Sequence, residues 1–202
     1  MNTNTKRTPT RTLTILGILT AIEIIMAFTP LGSLPIGPIV ATLAHIPVII
    51  AGVTLGVYAG AYMGALFGLL SFIVNTMMPN LTSFIFTPLY SVGEVSGNAL
   101  SLVICFVPRI LLGVAAGLLF KLIATHDKRR YGAYLISAVA ASLLHTVLVL
   151  GGVYLFFGAD YASVIGQAYE VLLGLIFTVV LTNGIPEAIL AAVCAVAVGK
   201  AL

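Results

Sequence analysis

The chain has 202 residues, of which 60% are hydrophobic and only 7% are charged, and its formal net charge is +3. A water-soluble domain carries about 25% charged residues, so this composition excludes a soluble protein. It predicts an all-α integral membrane protein in which residues 1–202 form a single compact transmembrane domain.

Six apolar segments are candidates for membrane-spanning helices, because about 20 apolar residues are needed to cross the hydrocarbon core. In chain order they are residues 12–31, 38–54, 56–78, 99–124, 131–157 and 168–199. The second segment is short and bends directly into the third at "TLGVYAG". We therefore predict a compact bundle of six transmembrane helices.

Basic residues cluster on one side of this predicted bundle. Apart from Arg109, they are Lys6, Arg7, Arg11, Lys121, Lys128, Arg129, Arg130 and Lys200. The positive-inside rule assigns that side to the cytoplasm, which places both termini there. The opposite, external side carries Glu94, Asp160 and Glu170.

Small residues recur every four positions on spans one and three. The series on span three consists of Gly56, Gly60, Gly64 and Gly68. Such a face lets a neighbouring helix approach closely, and we expect it to pack inside the protein. On span one the pair is Gly17 and Ala21, which we expect to face outward, free to meet a partner.

Two histidines lie within predicted spans. His45 on span two has Pro47 close behind it, and His145 lies on span five. An intramembrane histidine can relay protons, or it can hydrogen-bond a backbone carbonyl that a proline leaves without a donor. The sequence leaves both roles open.

The external loop "PNLTSFIFTPLYSVGEVSGN", residues 79–98, is unusually apolar for a connection. It mixes Phe84, Phe86 and Tyr90 with polar residues that include Asn98. One interpretation is a belt of aromatic side chains at the membrane interface. The other is a lid or wall over a ligand pocket that opens outward.

Arg109 lies ten residues into span four, roughly 15 Å from Ala99 along a helix. A charged group near the midplane is costly and usually faces the bundle interior or a cavity. Pro108 removes one backbone donor and frees the carbonyl four residues earlier. Arg109 can either brace the bundle, through Glu187 or backbone carbonyls, or offer its guanidinium to an anionic ligand.

Span six is interrupted near its middle by the sequence "LTNGIPEAIL". Gly184 and Pro186 weaken the helix there, and broken helices expose backbone groups that can bind solutes. Asn183 and Glu187 flank this break, and Asn75 lies near the outer end of span three.

Several sequence signatures are absent. There is no glycine-rich phosphate loop for ATP, no His-Glu-x-x-His sequence and no nucleophile elbow. The sequence also has no long basic helix of the kind that would indicate nucleic-acid binding. Cys105 and Cys194 lie in apolar runs, so we interpret them as buried apolar residues rather than metal ligands.

The segments "ATLAHIPVIIAGVTLGVYAGAYMGALFGLLSFI", "PRILLGVAAGLLFKL" and "LVLGGVYLFFG" resemble the substrate-binding S components of energy-coupling factor (ECF) vitamin transporters, most of all the pantothenate type. The resemblance covers nearly the whole chain. It implies a subunit of a bacterial plasma membrane that binds a vitamin from outside. It also implies delivery to a shared module of one transmembrane coupling protein and two ATPases, so that this chain needs no cofactor. Gly17 and Ala21 match the family's Ala-x-x-x-Ala docking face.

Pantothenate is an anion with an amide and two hydroxyl groups, so its site needs a cation and several neutral donors and acceptors. Arg109 is the candidate cation. The further candidates for substrate binding are His45, Asn75, Tyr90, Asn98, His145, Asn183 and Glu187. Riboflavin is the alternative vitamin, although the chain has no tryptophan to stack on it.

Two other classes of function stay open at this point. An intramembrane enzyme could use His45, His145 and Glu187 for acid–base chemistry if these groups converge. A structural membrane protein could use the buried polar groups only to cross-link its helices.

Overall fold

The computed structural model describes residues 9–36, 39–127 and 129–201. Its helices are α1 (Pro9–Phe28), α2 (Ile46–Leu55), α3 (Val57–Met77), α4 (Ala99–Ile123), α5 (Tyr131–Val164), α6 (Tyr169–Val179) and α7 (Ile185–Ala201). Two short hairpins pair β1 (Ser33–Ile36) with β2 (Ile39–Thr42) and β3 (Ser91–Val92) with β4 (Val95–Ser96). The protein is therefore mostly helical. Lys6, Arg7, Lys128 and residue 38, where the second span was predicted to begin, lie outside the described ranges.

Within the described residues, five helical segments are long and apolar enough to cross a membrane, judged by length and composition. They are α1, α3, α4, α5 and the continuous α6–α7 segment. Helix α5 has 34 residues, which is about 51 Å, and so extends well beyond a hydrocarbon core of about 30 Å. Asp160, which was expected in an external loop, lies on the last turns of this helix.

The second predicted span differs most from the structure. A helix was expected from residue 38, but α2 begins only at Ile46 and has 10 residues. That is about 15 Å, half of the hydrocarbon core. The residues before it form the β1–β2 hairpin. Pro47 lies in the first turn of α2, where a missing N–H costs little, so it starts the helix instead of bending it. His45 is the residue before that turn.

Gly60, Gly64 and Gly68 of the span-three series pack against α4, so this face lies inside the protein as predicted, whereas nothing lies within 4 Å of a Cβ built on Gly56. A Cβ on Gly60 would overlap the backbone carbonyl of Gly113, and a Cβ on Gly64 would overlap that of Arg109. Cys105 donates from its Sγ to the Gly68 carbonyl at 3.3 Å. The two helix backbones therefore touch over several turns, and this contact brings the residues that follow the glycines on α3 against Arg109.

The loop of residues 79–98 folds into the helix bundle. Phe84 is fully buried, and its ring meets the Phe157 ring at a centroid distance of 5.9 Å. Ser101 on α4 donates to the Phe84 carbonyl at 2.7 Å. Asn98 caps α4 by accepting from the N–H of Leu100 at 2.8 Å. The loop is consequently anchored to α4 and α5 and forms a wall of the bundle interior.

The helix of the last span changes its winding in the middle. Residues Val180–Gly184 form a π-helical turn between α6 and α7. The interruption predicted at "LTNGIPEAIL" is therefore a widened turn and not an unwound segment. Gly184 is buried there, close to Thr146 on α5.

The C-terminal end of α7 lies beside the connection between α4 and α5. Lys200 donates to the Arg129 carbonyl, and its Nζ lies 3.8 Å from the centre of the Tyr131 ring. Asp127 accepts hydrogen bonds from the backbone N–H groups of Ala133 and Arg129. These bonds, the one from Ala133 most of all, hold the pKa of the Asp127 carboxyl below its usual value. This end of the bundle, which collects the basic residues, is called the basic end below.

The α3–α4 contact yields a test of the fold. Gly64→Ala would push a methyl group into the Arg109 carbonyl, and overpacking of this kind costs about 1–3 kcal/mol. We expect a lower midpoint of thermal unfolding in detergent. Gly174→Ala is the matched control, because nothing lies within 4 Å of the added Cβ on α6. A Gly64→Ala protein as stable as the control would contradict the close packing.

Candidate functional site

Arg109 is held in place by its own helix. It is 6% exposed, and its Nη1 donates to the carbonyls of Ile104 and Cys105, both at 2.9 Å. Pro108 has no N–H to offer to the Ile104 carbonyl, so this acceptor is available to the guanidinium. From α3, the Ser71 hydroxyl accepts from Nη2 at 3.2 Å. The side chain therefore folds back against α4.

Two aromatic rings enclose the guanidinium. The Cζ of Arg109 lies 5.1 Å from the centre of the Phe67 ring and 5.0 Å from that of Phe86. Both distances fall within the range of cation–π attraction. Phe67 comes from α3, one turn after Gly64, whereas Phe86 comes from the loop of residues 79–98. The loop thus contributes directly to the surroundings of the charge.

The hydrogen bonding of Arg109 is incomplete. A guanidinium has five N–H groups. Three of these groups donate to Ile104, Cys105 and Ser71, so two N–H groups remain for other acceptors. Its Nε is buried and has no hydrogen-bond partner among the described residues. Nε and Nη2 lie on the same edge of the guanidinium. This edge can therefore still donate hydrogen bonds to a carboxylate.

Two cavities meet at Arg109. The first, of about 220 Å³, lies toward α5 and α7 and is called the inner cavity below. Its polar lining consists of His45, Arg109, His145, Thr146, Asn183 and Glu187. The second, of about 190 Å³, lies toward α1 and is lined by Met26, Ala27, Ser71, Asn75 and Arg109, among others. Five of the residues predicted to bind substrate therefore converge on the inner cavity.

The two histidines stack in the wall of the inner cavity. The centres of the His45 and His145 rings are 6.3 Å apart, and the ring planes differ by 14°. His45 Nε2 lies 3.3 Å from the Ser142 hydroxyl. His145 Nε2 is buried without a hydrogen-bond partner among the described residues. This nitrogen is a second polar atom that a bound ligand could satisfy.

Three of the predicted residues serve other contacts. Asn75 lines the cavity toward α1, but its amide donates to the Ser71 carbonyl and accepts from the Ser83 hydroxyl. Tyr90 packs among the apolar residues of the loop. Asn98 is the exposed cap of α4. Neither Tyr90 nor Asn98 lines the cavities at Arg109 that the described residues form.

Three further residues, Phe67, Ser71 and Glu23, were not predicted from the sequence. Phe67 and Ser71 follow Gly64 at intervals of three and seven residues, which places all three on one helix face. Glu23 is fully buried on α1, and neither of its carboxylate oxygens has a hydrogen-bond partner among the described residues. A single acidic residue within an apolar span was the signal for it.

A larger, apolar chamber adjoins the inner cavity. It has a volume of about 360 Å³ and is called the outer chamber below. The two share Phe86, Val149, Leu150 and Val179 as walls. The outer chamber also reaches Tyr161, near the end of α5. It therefore connects the surroundings of Arg109 with the end of the bundle opposite the basic end.

Comparison with known proteins identifies the family. The model of the ECF transporter substrate-specific component matches residues 11–199. The chain belongs to this family. The resemblance read from the sequence is thus confirmed, and the protein is an S component and not an enzyme.

Two similar proteins refine the comparison. The pantothenic acid transporter PanT of Lactococcus lactis subsp. cremoris is 35% identical to this S component over 166 residues, which are 82% of this chain and 79% of that protein. A crystal structure of the S-component for biotin from an ECF-type ABC transporter superposes with a TM-score of 0.54 at 21% identity. That match covers 99% of this chain and 95% of the other, and it shows that the fold is shared.

The role of Pro108 can be tested by replacing it. Pro108→Ala adds an N–H that competes with Arg109 for the Ile104 carbonyl. A hydrogen bond to a charged group contributes about 1.5 kcal/mol or more, so we expect the affinity for an anionic ligand to fall by roughly tenfold. The thermal midpoint should stay equal or rise, because the helix gains a hydrogen bond.

Calorimetric titration with pantothenate, for which the Lactococcus relative is named, measures this effect. Pro79→Ala, at an exposed position outside the helices, is the control. Unchanged affinity in Pro108→Ala would show that the freed carbonyl does not position the guanidinium.

Proposed function

We propose that this S component binds pantothenate from the outside of the cell and delivers it to a coupling protein and two ATPases. The observation that carries the proposal is the buried edge of Arg109, which lies where two cavities meet and whose Nε has no hydrogen-bond partner among the described residues. The name of the Lactococcus relative supports pantothenate as the vitamin.

Arg109 is proposed to bind the carboxylate of the vitamin. Its Nη1 is engaged by the helix carbonyls, and Phe67 and Phe86 fix the plane of the guanidinium. The edge formed by Nε and Nη2 is then oriented before the ligand arrives. Such preorganisation reduces the entropy lost on binding, and two parallel N–H···O bonds to a carboxylate add geometric selectivity.

The other polar groups of the inner cavity are proposed to bind the amide and the hydroxyl group next to it. His145 supplies a buried ring nitrogen that lacks a partner among the described residues. His45, Asn183 and Glu187 line the same space. The convergence of His45, His145 and Glu187, which an enzyme would also have required, is thus assigned to ligand binding.

The outer chamber is proposed to receive the branched end of pantothenate, which carries two methyl groups and the terminal hydroxyl group. At about 220 Å³, the inner cavity is smaller than the roughly 300–1,000 Å³ of typical ligand pockets, and the adjoining chamber brings the site into that range. Its apolar walls at Val149 and Val153 suit the two methyl groups of the vitamin. The name of the Lactococcus relative favours pantothenate over riboflavin.

The distribution of charge supports capture from outside. Arg11, Lys121, Arg129, Arg130 and Lys200 lie toward the basic end, which the positive-inside rule assigns to the cytoplasm. With both termini on that side, the outer chamber opens to the exterior of the plasma membrane. Helix α2 and the β1–β2 hairpin then make up the second of six passes.

Helix α1 is proposed to dock on the coupling protein. Gly17 and Ala21 are both exposed, and nothing lies within 4 Å of a Cβ built on Gly17. The residues of α1 that pack inward, such as Leu19, belong to the opposite face. The chain itself needs no cofactor under this proposal, because the ATPases of the shared module hydrolyse ATP.

The ligand assignment can be tested with two compounds. Pantothenol carries a neutral alcohol in place of the carboxylate of pantothenate. Removing one partner of a buried charged pair costs about 2–5 kcal/mol, so Arg109→Gln should raise the Kd for pantothenate by at least about thirtyfold. The same substitution should change the Kd for pantothenol by less than threefold.

Isothermal titration calorimetry of the purified chain gives both constants. Arg129→Gln, which removes an exposed cation at the basic end, is the matched control. Equal losses for the two compounds would assign Arg109 a purely structural role. Absence of pantothenate binding by the wild type would refute the proposed substrate.

The docking face can be tested separately. Gly17→Leu or Ala21→Leu would place a large side chain on the exposed face of α1. We expect the Kd for pantothenate to change by less than twofold, whereas uptake of the vitamin by cells that also produce the coupling module should be lost. Gly174→Leu, on exposed α6, is the control and should preserve uptake. Normal uptake by both α1 variants would place the docking face elsewhere.

A further inference from the structure

An open cavity lies at the basic end, remote from Arg109. It has a volume of about 540 Å³ and lies between the junction of α2 with α3 and the last turns of α4. Lys121 and Arg130 line it, and both side chains are exposed. Lys121 is twelve residues after Arg109 on α4, or about 18 Å along the helix. The cavity is therefore separate from the proposed vitamin site.

The interior of this cavity is apolar. Val53, Leu55 and Phe120 contribute to its walls. Among the described residues of the lining there are two cations and no carboxylate. The carboxylate of the nearby Asp127 accepts hydrogen bonds from the backbone N–H groups of Arg129 and Ala133. The cavity thus combines a cationic mouth with an apolar wall.

Backbone groups add to the positive charge at the mouth. Gly56 has a φ of 101°, a value that glycine adopts at little cost, and it separates α2 from α3. The first N–H groups of α3, at Val57 and Tyr58, have no carbonyl one turn earlier within that helix. Both residues line the cavity. The positive end of the α3 dipole therefore lies beside the two cationic side chains.

Aromatic residues indicate the level of the membrane surface here. Tyr58 is 94% exposed and Tyr131 is 53% exposed. The Tyr131 ring also stacks against the Nζ of Lys200. Tyrosines with an exposed ring are enriched at the level of the lipid headgroups. The mouth of the cavity thus lies where phospholipid phosphates are found.

We propose that this cavity binds an anionic phospholipid. Lys121, Arg130 and the first amides of α3 hold the headgroup phosphate, and the acyl chains lie along the apolar wall at Val53 and Phe120. Basic pockets between transmembrane helices are suited to anionic headgroups in this way.

Native mass spectrometry of the full chain in detergent tests this proposal. The purified protein is titrated with dioleoyl phosphatidylglycerol and, as the uncharged match, with dioleoyl phosphatidylcholine. Each basic residue near a membrane surface contributes about 1 kcal/mol, or roughly fivefold in affinity. Lys121→Gln and Arg130→Gln should each raise the Kd for phosphatidylglycerol by about fivefold. Arg129→Gln, which removes a cation outside the lining, should change it by less than twofold.

Four results would overturn the proposal. The first is equal affinity for the two lipids. The second is an equal effect of Arg129→Gln, which would show a general attraction to the basic end. The third is complete displacement of phosphatidylglycerol by millimolar inorganic phosphate, which would indicate a site for a free anion. If Lys121→Gln binds lipid normally but fails to assemble with the coupling protein, the cavity is a protein interface and the lipid assignment is wrong.

Discussion

The structure depends on keeping one guanidinium satisfied inside an apolar bundle. Arg109 cannot lose its proton, so every neighbouring element must supply acceptors or aromatic faces. Pro108 frees a carbonyl on the same helix, Gly64 lets α3 come close enough for Ser71 and Phe67 to reach, and the loop adds Phe86. What these contacts leave unsatisfied is the edge available to a ligand. Under the proposed function, stability and binding therefore depend on the same side chain.

Much of the fold was predictable because it follows from local rules. Hydropathy placed α1, α3 and α4 within a few residues, and the glycine spacing of α3 predicted that this helix packs inside the protein. Helix α2 was predicted poorly because a short apolar run rich in β-branched residues reads equally as strand or helix. The site was only partly predictable. The charge of Arg109 within an apolar span indicated a candidate site at this residue. Phe67 joins that site through the packing register of α3 against α4, which one sequence does not reveal.

The polar residues that were predicted to bind substrate fall into two kinds. Asn98 and Asn75 looked like ligand groups, yet both satisfy the backbone, one at a helix cap and the other between α3 and the loop. The amide side chain serves either purpose equally well. His145 differs, because its buried nitrogen has no such duty among the described residues. Unmet hydrogen-bonding capacity, more than polarity, is therefore the reason for proposing His145 as a ligand-binding residue.

The π-helical turn at Val180–Gly184 has a geometric effect on the last span. A turn of this kind holds about one residue more than an α-helical turn, so the helix after it is rotated by roughly 100° relative to an uninterrupted one. Val179, just before the turn, lines both compartments, and Glu187, two turns later, lines the inner cavity. One membrane-crossing helix thereby lines both the outer chamber and the inner cavity.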